Sequence, residues 1–464
     1  TTLFRSIFSF IIILHSCELN PEIRRPDRDE NRKKHTEISQ FHFFKSYTID
    51  SVRSYTFEMK QTENKGWILA GTSNVDNYTY LNVLSLDSTG QLNWNYNYDL
   101  EGYLAPGFIQ ITSNNEIIIS GYFINIELDN ERWFFLRLDK EENVASIKCY
   151  DIDGGSSGSG FIQLKNGEFL LTSALMNPYA FLIARFSVDG DLIWAKKMEK
   201  TPDIVGAGLI QKQNGEIWPA GHHKLKRDSF FRQNFFILKL TENAEIMEQK
   251  SYGLPAHIAY VRTLDTKNNL LLVHGKIGDT SVNPFLYKHF LAEFDENGTP
   301  LWSKSYDSST RIRKAFYLPD GRIISGSSNT SSKRGDICFQ YLNSEGIPQT
   351  THCIGSVNRE SIGDFSVSYE DNALTFSGSS DNWSPSAYTR GLIVGRVDLS
   401  FTKPATPFIE NFATLSEYEN IELKSGTIDI VLTDFELKQV PFNLVEVKKA
   451  EPEIIDLENN RVRN

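Results

Sequence analysis

Few side chains in this sequence have the types and spacing that catalysis or metal binding requires. His222 and His223 are adjacent, but neighbouring residues of an extended strand point to opposite sides, so the pair does not predict a shared metal ion. The run Asp151-Ile152-Asp153-Gly154 begins like a calcium loop, yet the later oxygen ligands and the terminal glutamate are absent. The run Gly154-Gly155-Ser156-Ser157-Gly158 fits the pattern Gly-x-Ser-x-Gly, but a strand pattern and no helix follows it, so it predicts no nucleophile elbow. No spacing isolates an acid–base pair. The sequence therefore predicts no catalytic residue, no metal site and no cofactor.

Two cysteines are placed where a disulfide could form. Cys338 and Cys353 lie on two predicted strands of one hairpin, on either side of a turn at 344–346. In an oxidising compartment they could face each other across this hairpin and be bonded. The alternative is a pair of buried thiols. Because the sequence contains no Cys-x-x-Cys, it favours neither zinc binding nor thiol redox chemistry.

Aromatic and cationic residues in predicted loops are better candidates for function. Exposed aromatic rings and arginines are enriched in protein-binding hot spots, and aromatic rings also stack on sugars. The candidates are Tyr78, Tyr103, Tyr179, Phe230, Phe231, Tyr287, Arg311, Arg313, Trp383, Tyr388 and Arg390. We expect them to share one face of the molecule, although some could instead fold back over sheet edges. The longest predicted loops, which we expect to dominate recognition, are 122–132, 222–233, 276–288 and 379–390.

The elements that would position these loops repeat at a nearly constant interval. Seven strand-like segments end on a small residue at steps of 48 to 54 residues, at 66–71, 116–121, 168–173, 216–221, 270–275, 322–326 and 373–378. Before each lies an apolar strand pattern and a tight turn such as Asn166-Gly167, and two further strand patterns follow in most repeats. Four strands per repeat and a period of this length predict an all-β fold, a seven-bladed propeller.

The two ends of the repeat array predict how the ring closes. The seventh repeat has a third strand at 392–399 but no fourth strand, whereas 44–47 is typical of a fourth strand without a preceding repeat. We therefore expect the N-terminal strand to complete the last blade of a propeller that spans 41–403. Closure leaves only short, protected sheet edges.

One element of the repeat resembles a known blade type. Asp87, Gly90 and Trp94 have the same spacing as Asp295, Gly298 and Trp302, between the third and fourth strands. This element resembles the repeats of PQQ-like β-propellers, a family that includes quinoprotein dehydrogenases and outer-membrane assembly lipoproteins, over roughly residues 41–400. The family turn usually has one more residue between Asp and Gly, so the resemblance is to the blade type. It implies that these residues cap and wedge neighbouring sheets, and no ligands for a quinone cofactor are evident.

The N-terminal residues resemble a bacterial lipoprotein signal. Arg5 precedes an apolar run at 7–14, which is followed by Ser16 and Cys17 in the order of a secretory cleavage site. The resemblance to a lipobox implies that 1–16 is a signal peptide and that Cys17 carries acyl chains, although His15 is unusual there. An ordinary secretory signal with an incidental cysteine is the alternative. The polar residues that follow predict a flexible tether over 17–40.

The composition of the chain limits which classes of binding partner are expected. The 464 residues carry a formal net charge of −11, and no basic stripe interleaved with aromatic residues is present, so nucleic acid is not an expected partner. No stretch reaches the roughly 20 apolar residues that a membrane-spanning helix needs. Contact with a membrane is therefore expected through the lipid anchor alone.

Beyond the repeats the chain keeps some strand character. A Pro-Ala-Thr-Pro run at 404–407 marks a boundary, and we assign 404–464 to a β-rich C-terminal extension. Alternation at 427–437 and 442–447 favours strands that either form a hairpin against the side of the ring or pair with a partner. Residues 451–464 are charged and favour disorder.

These patterns together predict a lipid-anchored protein of the bacterial cell envelope, at the outer membrane on its periplasmic or its surface side. We expect a non-catalytic propeller scaffold that binds an envelope protein. An alternative is a propeller that binds a glycan or small ligand in its central funnel during nutrient capture. A third hypothesis is an enzyme of the quinoprotein or polysaccharide-cleaving kind. The fold alone selects none of these functions.

Overall fold

The computed structural model describes most of residues 41–456, and the predicted signal peptide, Cys17 and the tether at 17–40 lie outside this part. Within it, the segments that are not described are 49–52, 76–77, 101, 113, 126–129, 153–155, 177–178, 200–203, 228–229, 254–256, 280–286, 307–309, 330–335, 355–359, 382–389, 400–408, 413–417, 427–430, 435–437, 441–445 and 450–452. The described residues form thirty-five β-strands and no helix. None of them therefore forms a helix long and apolar enough to cross a membrane.

Seven antiparallel sheets of four strands follow one another along the chain. The first strand, β1 (Phe41–Thr48), belongs to the last blade. Blades 1 and 2 consist of β2 (Arg53–Gln61), β3 (Trp67–Val75), β4 (Tyr78–Leu86), β5 (Leu92–Asp99) and of β6 (Gly102–Ile111), β7 (Ile117–Asn125), β8 (Asn130–Leu138), β9 (Val144–Ile152). Blades 3 and 4 consist of β10 (Ser156–Gln163), β11 (Phe169–Met176), β12 (Tyr179–Phe186), β13 (Leu192–Glu199) and of β14 (Ile204–Gln211), β15 (Ile217–Arg227), β16 (Phe230–Leu240), β17 (Ile246–Gly253). Blades 5 and 6 consist of β18 (His257–Lys267), β19 (Leu270–Asp279), β20 (Tyr287–Phe294), β21 (Pro300–Tyr306) and of β22 (Thr310–Tyr317), β23 (Ile323–Asn329), β24 (Asp336–Leu342), β25 (Pro348–Ile354). Blade 7 consists of β26 (Glu360–Ser368), β27 (Ala373–Asp381), β28 (Arg390–Asp398) and β1.

The ring closes as the sequence predicts. The N-terminal strand β1 pairs antiparallel with β28, with Phe44 opposite Gly395 and Tyr47 opposite Leu392. The first strands of neighbouring blades lie side by side around a central channel. The seven-bladed all-β propeller with a closing N-terminal strand is therefore confirmed. We call the side that carries the connections between second and third strands and between blades the loop face.

The hydrophobic core is divided into seven clusters, one at each interface between blades. Each sheet is covered on both faces, so successive residues of its central strands are apolar and point to different clusters. On β12, for example, Phe181 packs toward blade 4 and Leu182 packs toward blade 2. Burial of both faces explains why these strands appear in the sequence as continuous apolar runs.

The repeated Tyr and Gly of the sequence meet across the blade interfaces. A tyrosine at the end of a fourth strand donates its hydroxyl hydrogen bond to the glycine carbonyl of the next blade's turn. The pairs are Tyr47 with Gly90 at 2.5 Å, Tyr150 with Gly190 at 2.7 Å, Tyr252 with Gly298 at 2.5 Å and Tyr306 with Gly346 at 2.7 Å. Gly298 has a φ of +71°, and a Cβ there would lie 2.8 Å from the Tyr252 hydroxyl, so only glycine fits.

Loss of one of these hydrogen bonds should be measurable. We expect Tyr252→Phe to lower the free energy of unfolding by about 1–2 kcal/mol, because the buried Gly298 carbonyl loses its partner. The matched control is Tyr98→Phe in blade 1, whose buried hydroxyl has no hydrogen-bond partner among the described residues. This control should change stability by less than about 0.5 kcal/mol. Urea denaturation of both variants measures the difference, and equal losses would contradict the role of the hydrogen bond.

The C-terminal extension adds a fifth strand to every blade. Its strands are β29 (Ile409–Phe412), β30 (Tyr418–Asn420), β31 (Lys424–Gly426), β32 (Val431–Asp434), β33 (Lys438–Val440), β34 (Glu446–Lys449) and β35 (Glu453–Asp456). They pair in turn with the outer strands of blades 6, 5, 4, 3, 2, 1 and 7. We call residues 409–456 the C-terminal belt.

The belt differs from both arrangements that the sequence suggested for this region. No two described belt strands pair with each other, so there is no hairpin among them; each pairs with the ring itself. Within 451–464, where the sequence favours disorder, Glu453–Asp456 forms β35 on the edge of β1. A belt side chain also packs against the ring, since Leu423 is buried in the cluster between blades 4 and 5. The belt thus covers sheet edges that a four-stranded propeller would leave open.

Cys338 and Cys353 are joined by a disulfide in the structure. They lie directly opposite each other on β24 and β25, with Cα atoms 4.0 Å apart. Cys149 is a free, buried cysteine, and burial raises the pKa of its thiol to about 12. Its thiol is therefore protonated and unreactive in the folded protein.

Candidate functional site

Two concave regions of the ring bring polar side chains together. One lies on the loop face between blades 4 and 5, with a volume of about 410 Å³. The other, of about 550 Å³, lies in the central channel between the first strands of blades 1, 5, 6 and 7. We call them the loop-face pocket and the channel cavity.

The loop-face pocket combines aromatic rings with cations. Tyr260 and Arg262 come from β18, Lys276 from β19, Tyr287 from β20, and His222 from β15 of the neighbouring blade. Tyr260 on β18 is paired with Lys276 on β19, so the tyrosine ring and the ammonium group are carried by directly facing residues of two neighbouring strands. The pocket can therefore offer flat ring surfaces and positive charge to the same ligand.

The aromatic wall of this pocket is continuous. The His222 ring meets Tyr260 edge-on at 4.7 Å between centroids, and Tyr260 lies 6.1 Å from Tyr287. Burial and the neighbouring Tyr287 raise the pKa of Tyr260 to about 12, so its hydroxyl stays protonated. His223 is buried elsewhere, with Nε2 2.9 Å from the Ser251 hydroxyl, and burial lowers its pKa to about 4. The two adjacent histidines thus belong to separate environments, as expected from the sequence.

The channel cavity depends on a β-bulge in the first strand of every blade. One residue of each first strand bulges out of the ladder opposite the second strand. The residues that resume pairing after the bulge are Glu58, Phe108, Gly160, Gly208, Thr263, Lys314 and Asp364. Blades 6, 7 and 1, which are consecutive around the ring, therefore carry Lys314, Asp364 and Glu58 at equivalent positions.

These three groups form a charged cluster in the channel. Lys314 Nζ lies 3.0 Å from Asp364 Oδ1, and the Met59 backbone N–H donates to Asp364 Oδ2 at 3.2 Å. Burial alone would lower the pKa of Lys314, but the negative charge of Asp364 raises it, so Lys314 stays charged. Burial and the negative charge of Asp364 raise the pKa of Glu58 to about 8. Glu58 is therefore largely protonated at neutral pH.

The remaining walls of the channel cavity are partly apolar. Met59 is buried, and the rings of Phe316 and Phe365 stack with centroids 4.9 Å apart. Asp265 lies on the opposite side, where it accepts the Tyr317 backbone N–H at 2.7 Å, and burial raises its pKa. At the mouth, Lys267 Nζ donates to the Leu318 and Pro319 carbonyls at 2.9 and 2.6 Å.

The structure places nine of the eleven binding-face candidates in strands rather than in loops. Tyr78, Tyr179, Phe230, Tyr287 and Arg390 each begin a third strand, and Tyr103 and Arg311 lie near the start of first strands. All of these positions are at the loop face. Tyr103 and Tyr287 are exposed, at 53 % and 36 %. The side chains of Tyr78, Tyr179, Phe230, Phe231, Arg311 and Arg390 are outside the described part of the structure, as are Trp383 and Tyr388 altogether.

Two sequence predictions for this face need correction. Residues 222–233, predicted as a loop, mostly continue β15 and β16, with Arg227 still opposite Phe230. Backbone pairing continues there although the side chains turn polar, because the ladder uses only main-chain groups. Arg313 is the bulge residue of β22 and donates from Nε to the Gly363 carbonyl at 3.1 Å. It therefore bridges blades 6 and 7 beside the channel rather than extending from a loop.

Sequence reasoning missed Glu58, Lys314 and Asp364. Their signal was the repeat itself: each follows the bulge of a first strand, so an alignment of the repeats places all three at one position.

The sequence analysis also missed two buried histidines, His274 and His289. His274 Nε2 lies 3.2 Å from His289 Nδ1, and Thr263 contacts the His274 ring. Burial and the neighbouring His289 lower the pKa of His274 well below its usual value.

No group of three or more His, Cys, Asp or Glu side chains in the described residues lies close enough to hold a metal ion.

Comparisons with known proteins identify no family for this chain. No protein-family model matches the sequence, and no curated protein matches it. Drosophila plexin A, in complex with semaphorin 1b, is 9 % identical with a TM-score of 0.45, over 82 % of this chain and 95 % of that chain. The β-propeller domain of the Trilobed protease from Pyrococcus furiosus is 12 % identical with a TM-score of 0.44, over 75 % and 95 %. A catalytically inactive virginiamycin B lyase from Staphylococcus aureus, with quinupristin, is 12 % identical with a TM-score of 0.39, over 76 % and 98 %. At such low identity the likeness is one of fold alone.

Proposed function

We propose that this protein is a lipoprotein of the bacterial cell envelope, and that its PQQ-like propeller is a non-catalytic scaffold which docks an envelope protein on its loop face. The observation that carries the proposal is the loop-face pocket, where aromatic and cationic side chains of two blades converge. The anchor rests on the resemblance of residues 14–17 to a lipobox.

The chemistry of the pocket suits a protein partner with an acidic or aromatic side chain. Interface hot spots are enriched in tyrosine and arginine, and they lie in pockets that exclude water. Tyr260 and Tyr287 supply ring surfaces, while Arg262 and Lys276 supply positive charge against an overall net charge of −11. Because the rest of the chain is acidic, this local positive charge favours an acidic segment of the partner in one orientation.

Charge reversal in the pocket tests the proposal. We expect Arg262→Glu with Lys276→Glu to reduce co-purification of the partner from mildly cross-linked native membranes at least tenfold, since two hot-spot contacts are lost. The matched control is Met247→Ala, which truncates a side chain that is 55 % exposed on the outer strand of blade 4. Unfolding midpoints of all variants establish that the ring is intact. Equal recovery of the partner by the charge-reversed and control proteins would refute docking through this pocket.

A glycan is the second candidate ligand for the same pocket. The specific observation in its favour is the continuous ring surface of Tyr260 and Tyr287, because sugar rings stack on tyrosine. On this hypothesis, Tyr287→Ala weakens glycan binding in a glycan screen. The charge-reversed variant weakens binding of acidic sugars only.

A further inference from the structure

We infer that the channel cavity binds a small organic cation, such as an aromatic or alkyl amine, and that the Glu58 carboxylate is its counter-ion. This site is separate from the loop-face pocket, and the inference does not depend on the proposed scaffold function.

The size and lining of the cavity fit a small molecule. Its volume of about 550 Å³ lies within the roughly 300–1,000 Å³ of ligand pockets. Phe316 and Val367 form apolar wall in front of the buried Met59 and Phe365, and polar and charged side chains converge from four different blades. Apolar wall combined with convergent polar groups is a common feature of ligand sites.

Within the charged cluster, Glu58 is the member whose carboxyl has no hydrogen-bond partner among the described residues. Lys314 and the Met59 N–H engage both oxygens of Asp364, and two backbone N–H groups stabilise Asp265. No described group donates a hydrogen bond to the Glu58 carboxyl, although its side chain faces the cavity. The cluster thus leaves one carboxyl available to a ligand.

The charges around Glu58 favour a cation over an anion. The groups that act on it are Asp364, which is negative, and Lys314, Arg313 and Lys60, which are positive. Lys314 is already paired with Asp364, Arg313 donates to the Gly363 carbonyl, and Lys60 is exposed at the rim. An anion would face Asp364 and Asp265 without a free cation deep in the cavity, whereas an ammonium group would stabilise an ionised Glu58.

An organic cation also fits better than a metal ion. The described residues contain no cluster of three potential metal ligands, and the half-buried ring of Phe316, which stacks on the buried Phe365, gives an apolar body a surface to contact. Aromatic faces also attract ammonium groups. The ligand class is therefore an amine whose apolar part reaches the Phe316 ring.

Binding of a cation should be coupled to the release of a proton. Glu58 holds a proton at neutral pH because burial and Asp364 raise its pKa to about 8, and it must lose this proton to pair with an ammonium group. Affinity should therefore rise by up to tenfold per pH unit below pH 8 and level off above it. This pH dependence distinguishes pairing with Glu58 from simple apolar burial.

Calorimetric titration with 2-phenylethylamine tests the inference. In two buffers of different ionisation enthalpy at pH 7, we expect release of a proton on binding, and at least tenfold weaker binding of the neutral analogue 2-phenylethanol. Glu58→Gln should weaken amine binding at least tenfold and remove its pH dependence, while it preserves the unfolding midpoint because the native side chain is already protonated. The control Glu63→Gln changes an exposed glutamate in the adjacent turn and should have no effect.

Three results would overturn the inference. These are failure of the native protein to bind the amine at millimolar concentration, unchanged binding by Glu58→Gln, and preference for the anionic analogue 3-phenylpropanoate. None of them bears on co-purification of a partner by the loop face, so this inference and the scaffold proposal can fail independently.

Discussion

A protein that lacks residues 41–48 is expected to lose its closed ring and its cooperative unfolding transition. These residues form β1, which contributes Phe43, Phe44 and Tyr47 to the clusters on both sides of blade 7. Truncation of one buried phenylalanine typically costs about 3–5 kcal/mol. Loss of three buried aromatic residues therefore approaches or exceeds the roughly 5–15 kcal/mol that stabilises a folded domain.

A graded variant keeps this prediction measurable even if the deletion does not fold. Phe44→Ala should lower the free energy of unfolding by about 3–5 kcal/mol, because its ring packs on Phe376 at 5.8 Å and is buried between blades 6 and 7. Lys60→Ala, at an exposed position of blade 1, is the control and should change stability by less than about 0.5 kcal/mol. Urea denaturation followed by circular dichroism measures both. A truncated chain that remains monomeric and unfolds at the native midpoint would show that β1 does not close the ring.

A chain that ends after Leu399 is expected to fold but to self-associate. It keeps all seven four-stranded blades and β1, and it loses the C-terminal belt. The outer strands of the blades then present unpaired N–H and C=O groups, which are templates for pairing with another chain. We expect concentration-dependent oligomers in sedimentation velocity, and amide exchange in the outer strands at least about a hundredfold faster, since local opening there no longer requires release of the belt.

The control for this truncation is a chain that ends after Asp456. It removes only residues 457–464 and keeps every belt strand, from Ile409–Phe412 to Glu453–Asp456. This protein should remain monomeric with native exchange rates. If the chain that ends after Leu399 is also monomeric with native exchange rates, the belt strands do not protect the blade edges.

The ring was predictable because its determinants are local and repeated. Gly90, at a φ of +72°, marks the turn between a third and a fourth strand, and the same turn recurs around the ring at similar spacing. Asn115 and Asn372 also adopt positive φ in tight turns between first and second strands. The closing strand at 44–47 was recognisable as a fourth strand by its position and composition.

The belt was not predictable in the same way. Its strands are only three or four residues long, as in Lys424–Gly426, which is too short for an alternating pattern to emerge. Their pairing uses main-chain groups, so it places little constraint on residue type. A sequence can indicate strand character in such a region but not the edge with which each strand pairs.

The channel cluster depends on the topology rather than on any local motif. Glu58 and Asp364 stand near opposite ends of the repeat array and become neighbours only because blade 7 closes onto blade 1. Each of them alone is an ordinary acidic residue in a strand. Of the aromatic and cationic candidates chosen from the sequence, Tyr287 lines the loop-face pocket, as an exposed residue at the start of a third strand.

The most direct test of the scaffold proposal is cross-linking mass spectrometry of the unaltered protein in its native membrane. We expect Lys276 and Lys288, which lie on β19 and β20 toward the loop face, to be cross-linked to one envelope protein in near-stoichiometric amount. Lys65 and Lys165, which lie in turns between first and second strands on the opposite face, should be cross-linked to it rarely. Cross-links of that partner confined to Lys65 and Lys165, or the absence of any partner, would contradict docking on the loop face.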